Sequence, residues 1–337
     1  MKQERNSNIE ILRLVLMVFI LLWHVILYGY GFLDAVKENS VYSGDLTMTA
    51  IFMSIFVPAV YCFVFISGYF GICFKLSKFI QLVFWCFIVG VGALFIQKYC
   101  FGKNVGIKTI RAALLPLTSE RWWFMSSYIK LYILSPLINF GLEKMDKKQL
   151  KVLLFLMFLT TFLYIFYMNY CAGNNLYGLI FMYILGYYFK RYYVLDMKTS
   201  IKWYAASYLT FVGILLMIVY TLSNYNIPCV ERIIMVFCSY INPLAICMSV
   251  SMFYIVYNLP KFSSNLINKI LSYNLFIYLM TESHGGGDLC YDSRWFRNKY
   301  FLWSIPYICH CGLLFISGYD NRLCSPIYNM SNHKIYQ

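Results

Sequence analysis

The sequence predicts an all-α protein: a polytopic bundle of about nine to ten transmembrane helices with its N-terminus on the cytoplasmic side. Three observations predict it. Of 337 residues, 61% are hydrophobic and only 12% charged, where soluble domains carry about a quarter charged residues. Apolar runs of about 20 residues, the length that crosses a bilayer core, recur along the chain. With the N-terminus inside, the inner loops hold twice as many Lys and Arg as the outer ones, the bias that orients membrane proteins.

Spans are read at 9–31, 48–72, 79–97, 122–141, 152–168, 176–190, 203–222 and 232–257, with a shorter run at 270–280 and a further apolar stretch at 300–319. No polar region between them is long enough to fold as a soluble domain. The net charge of +14 would suit nucleic acid, but these cations sit in short loops between apolar runs. That is the pattern of orientation and headgroup contact, so the expected partner is the lipid bilayer and not nucleic acid. The 12 cysteines are scattered without a Cys-x-x-Cys pair, which argues neither a disulfide framework nor a metal site. Lys2 and Arg5 before an apolar run mimic a secretory signal. The run is too long for one and lacks a small-residue cleavage site, so it is expected to remain as the first span.

That first span, IEILRLVLMVFILLWHVILYGY, carries Glu10, Arg13 and His24. Ionisable groups at membrane depth are costly and mark pairing or function. Eleven residues at about 100° each return Arg13 and His24 to one helix face, about 16 Å apart along the axis, and Glu10 falls on that face too. A histidine of near-neutral pKa is the natural general base for an attacking hydroxyl; the alternative is a packed histidine bonded to a neighbouring helix. Arg13 is suited to a phosphate or a developing oxyanion, or to snorkelling toward the inner headgroups.

The second span closes on FVFISGYF, residues 63–70, where Ser67-Gly68 permits close helix approach. Lys75 and Lys78 follow, as orientation charges or as a grip on a phosphorylated donor. The loop 98–121 holds most of the outer cations, and its KTIRAALLPLTSERWW stretch has an amphipathic look. It reads as an interfacial segment with aromatic anchors, or as a cationic and aromatic rim suited to an anionic or sugar-rich glycan. The fourth span opens WWFMSSYIKLYILSPLIN, interrupted by Trp123, Ser127, Lys130 and Pro136. Glu10, Ser67, Trp123 and Tyr128 are the candidate site-lining residues.

Arg13-x10-His24, FVFISGYF and WWFMSSYIKLYILSPLIN, in this order and spacing, resemble the acyltransferase 3 family from Asn6 to about Met280. These are bacterial inner-membrane proteins of about ten helices that O-acylate surface polysaccharides and related glycans. The resemblance implies acyl-CoA, with acetyl-CoA the expected form, as a cytoplasmic co-substrate and no bound cofactor. It implies a hydroxyl of a glycan or lipid-linked sugar as acceptor, with Arg13 and His24 as the functional pair. Lys75-x-x-Lys78 stands where the family often has a basic pair, with Lys in place of the more usual Arg, which loses bidentate geometry toward phosphate.

The end departs from the family. Phe276-Ile277-Tyr278-Leu279-Met280 begins a closing segment, then Thr281 stands where a histidine would be. The run 270–280 is too short to cross, and Gly285-Gly286-Gly287 offers backbone groups that lipid does not satisfy. The triple Gly lacks the Lys of a phosphate loop, and Cys309, His310 and Cys311 show no metal pattern. One reading is a frame shift near residue 281, which divides the chain into an acyltransferase domain over 1–280 and an atypical tail over 281–337. The other is a divergent end in which His284 substitutes and 300–319 forms a tenth helix. Two other functions stay open: a glycan or lipid transporter or flippase, which would also hold ionisable groups near the midplane, and an inactive remnant of the acyltransferase.

Overall fold

The first span forms helix α1, Ser7–His24, whose start is capped by the Asn6 side chain accepting from the Asn8 N–H. Its apolar residues continue through a π-helical turn, Val25–Gly29, to a short helix α2, Phe32–Glu38. A computed structural model describes the protein over residues 6–100, 102, 104–119, 122–167, 169–171, 173–193, 201–225, 227–240, 242–271 and 278–279. The chain divides into two compact units, Met1–Ser293 and Arg294–Gln337, and all described residues belong to the first. The tail after residue 280, with Thr281, His284, the triple Gly and 300–319, lies outside the described residues, as do Lys2 and Arg5.

The second span is split. Asp45 caps α3, Leu46–Phe56, and Pro58, which has no N–H to continue the ladder, separates it from α4, Ala59–Phe70. Neighbouring helices serve the carbonyls at this break: the Tyr208 hydroxyl donates to Ile55 O at 3.0 Å and Ser249 Oγ to Pro58 O at 2.9 Å. Gly71, at φ +82°, ends α4. The chain then builds α5, Leu76–Phe95, lengthened by a π-turn Ile96–Cys100, and α6, Ile107–Leu114. Next come α7, Trp123–Lys144, and α8, Lys147–Phe162, the latter opened by a capping box between Asp146 and Gln149. Helices α9, Leu176–Tyr192, and α10, Ile201–Asn224, follow. The run 232–257, expected as one span, is two helices, α11, Val230–Phe237, and α12, Pro243–Tyr257. Asn242 caps the second through the Leu244 N–H at 2.9 Å, and Pro243 occupies its first turn, where a missing N–H costs nothing. A last helix, α13, covers Asn265–Leu271.

Every regular element among the described residues is therefore helical. Among the described residues, four stretches are long and apolar enough to cross a membrane: Ser7–Gly29, Leu46–Phe70, Leu76–Tyr99 and Ile201–Asn224.

The centre of the unit is α4 against α9. A Cβ placed on Gly68 would collide with the Tyr183 carbonyl, and one on Gly186 with the Phe65 carbonyl, so these helices touch backbone to backbone. Around them, α1 and α12 run in opposite directions. Ser7 N–H donates to Phe262 O at 3.0 Å at one end, and the Trp23 ring meets Tyr240 at 6.1 Å at the other.

Candidate functional site

His24 is the last residue of α1 and 7% exposed. Its Nδ1 lies 2.8 Å from the Ile20 carbonyl. A carbonyl only accepts, so Nδ1 carries the hydrogen, and in the neutral ring Nε2 is the basic nitrogen. The π-turn follows at once. Shifting the backbone bonds from i+4 to i+5 brings residues four apart nearly into line along the axis. Tyr28 thereby stacks on the imidazole, with ring centroids 5.7 Å apart and planes 3° from parallel. Trp23 meets the same ring edge-on at 5.6 Å.

Three helix breaks converge beside this histidine. Tyr240, from the break between α11 and α12, packs on Trp23, on Tyr61 at 5.4 Å and on Trp123 at 5.7 Å. Tyr61 stands just past the Pro58 break. Trp23 Nε1 and Tyr61 Oη are buried in this junction without a hydrogen-bond partner among the described residues.

The other predicted residues fall into three groups. Arg13 Nη1 pairs with Glu10 Oε1 at 2.5 Å, with the Arg13 side chain 25% and Glu10 3% exposed. The structure thus gives Arg13 a carboxylate partner in its own first turns and leaves it about three turns from His24 on the same helix. Ser67 and Tyr128 are brought together, their hydroxyl oxygens 3.5 Å apart, while Ser67 Oγ also donates to Phe63 O. Lys75 and Lys78 expose their side chains at the start of α5. The backbone leading to them is held tightly. Ile72 N–H donates to Tyr183 Oη, the Tyr183 hydroxyl to Asn139 Oδ1, and Asn139 Nδ2 back to Ile72 O, at 3.0, 2.7 and 3.0 Å. Lys75 N–H donates to Tyr132 Oη at 2.8 Å.

The Trp122-Trp123 pair is not the interfacial anchor expected of it. Trp122 is 2% exposed, and Trp123 turns onto Tyr240. Apolar packing in the helix junction outcompetes the headgroup region for these rings. Trp23, Tyr28, Tyr61 and Tyr240 join the site without a motif of their own in the sequence. Asn242-Pro243, a capping residue followed by a helix-starting proline, was the available signal for the break that presents Tyr240. Among the described residues, no three His, Cys, Asp or Glu side chains gather as metal ligands would.

A family model described as an acyltransferase domain matches residues 6–283. No curated protein matches the chain, and no solved structure does.

Proposed function

Since the chain belongs to the acyltransferase 3 family, whose model matches residues 6–283, we propose that it is a multi-pass O-acyltransferase of the bacterial inner membrane. It passes an acyl group, acetyl in the first instance, from acyl-CoA to a hydroxyl of a cell-surface or secreted glycan. The N-terminus lies on the cytoplasmic side, and nine to ten helices cross the bilayer.

The observation that carries this reading is the tautomer of His24. With Nδ1–H held by the Ile20 carbonyl, Nε2 accepts the proton of the acceptor hydroxyl as that oxygen attacks the thioester carbonyl. The carbon–sulfur bond breaks, and the leaving thiolate recovers the proton from His24. Arg13 keeps N–H groups beyond the one paired with Glu10, and together with Lys75 and Lys78 it binds the phosphates of the CoA end. The aromatic junction supports a hydroxyl-rich acceptor. Trp23 Nε1 and Tyr61 Oη are buried hydrogen-bonding groups with unused capacity, and ring faces suit the apolar faces of a sugar.

The test measures ester-linked acetate on the surface glycan of a host lacking this protein, complemented at matched membrane levels. Wild type restores acetate, and His24→Ala lowers the transfer rate by about 10²–10⁴-fold, the range of a lost general base. Restoration by both alike removes His24 from the mechanism.

A further inference from the structure

We propose that α6 is a docking surface for the phosphate groups of anionic phospholipids, gripped by Lys108 and Arg111. The inference does not depend on the acyl-transfer reading. Ala113 is fully buried against α5, with its carbonyl 2.9 Å from where a Gly90 side chain would begin. Ser119 Oγ donates to Ala112 O at 3.1 Å, and Ser126 of α7 donates to Pro116 O at 3.3 Å. One face of the helix is thus fixed to the bundle.

The opposite face is a stripe of Ile107, Lys108, Arg111, Leu114 and Leu115, all exposed. Ile107, Leu114 and Leu115 show 62, 48 and 59% of their surface. Gly90 lies nine residues, about 13 Å along the axis, inside the end of the span Leu76–Tyr99, so α6 packs against the membrane-spanning length of α5 and the exposed stripe opposite it meets lipid and not open water. There the three apolar side chains enter the acyl region, while the Lys and Arg stems reach to the headgroups. Charge agrees: from Lys98 to Ser119 the sequence carries Lys98, Lys103, Lys108 and Arg111 and no Asp or Glu. An anionic glycan is the competing occupant, but a soluble polyanion gives no place to three exposed aliphatic side chains.

The experiment reconstitutes the full chain in phosphatidylcholine bilayers with trace spin-labelled phosphatidylglycerol or spin-labelled phosphatidylcholine, and compares the immobilised fractions. Wild type selects phosphatidylglycerol several-fold. Lys108→Gln/Arg111→Gln falls to parity, each cation being worth up to about 5-fold. The exchange variant Lys108→Arg/Arg111→Lys keeps the selectivity. Lys37→Gln/Arg232→Gln, also exposed cations, leaves it unchanged. Thermal transitions matching wild type confirm that the variants fold; where the double variant does not, Lys108→Gln and Arg111→Gln singly each lower selectivity by up to that factor. Absent selectivity in wild type, or selectivity kept by the Gln variants, overturns the proposal. Displacement of phosphatidylglycerol by a soluble anionic oligosaccharide overturns it in favour of a glycan rim.

Discussion

At His24 the local backbone decides the chemistry of the ring: Ile20 takes one nitrogen, and the π-turn sets Tyr28 over its face. Glu10 and Arg13 show the same local control, since a spacing of three residues lets them pair within α1. Removing Arg13 takes away a charged partner of the Glu10 carboxylate, which is only 3% exposed. Arg13→Gln is therefore expected to cost roughly 1–3 kcal/mol, less than a fully buried pair because Arg13 is partly solvated. Glu10→Gln/Arg13→Gln recovers part of that loss. Thermal unfolding of the three variants in one detergent measures both, and a double variant less stable than Arg13→Gln alone rules out the pairing as the cause.

Between elements, contact distance sets the rules. Gly68 and Gly186 let α4 and α9 meet through backbone atoms, and backbone cannot rotate aside as a side chain can. Gly68→Ala or Gly186→Ala forces the helices apart, at a cost of about 1–3 kcal/mol or more. Gly92 of α5 has open space where a side chain would begin, so Gly92→Ala is neutral or stabilising by up to about 1 kcal/mol. A Gly92→Ala loss equal to that of Gly68→Ala in melting temperature would contradict this. The ring of bonds around Ile72 predicts a third effect. Tyr183→Phe leaves the Ile72 N–H without its acceptor, for about 1–3 kcal/mol. It also loosens the approach to Lys75 and Lys78, which proteolysis at the α4–α5 linker would detect as faster cleavage.

For the whole molecule the testable quantity is orientation. Cys73, in the linker after α4, and Cys171, before α9, are both exposed and belong to the second and the fifth loop between the expected spans, which lie on opposite sides of the membrane. On a cysteine-free background, a membrane-impermeant maleimide labels Cys171 in intact cells and Cys73 only after permeabilisation. The reverse pattern would invert the protein. Partial desolvation of the thiol raises the Cys171 pKa by more than Lys37 and Tyr170 lower it, so labelling belongs at mildly alkaline pH, where more thiolate forms.

Much of this protein was legible in its sequence. Length and hydropathy mark the long apolar helices because a bilayer core imposes about 20 residues on any crossing helix. The stripe of Glu10, Arg13 and His24 and the family resemblance follow from spacing and motif, which are properties of the chain order. The Ser67-Gly68 packing role was legible as well, since only small residues admit a neighbouring backbone. The split of 232–257, the inward turn of Trp122 and Trp123, and the gathering of Trp23, Tyr61 and Tyr240 beside His24 were decided by tertiary structure. Aromatic side chains carry no periodic mark that names their partners. Which rings meet depends on where three separate helices break and how their backbones pack, and that is set by contacts between residues far apart in the chain.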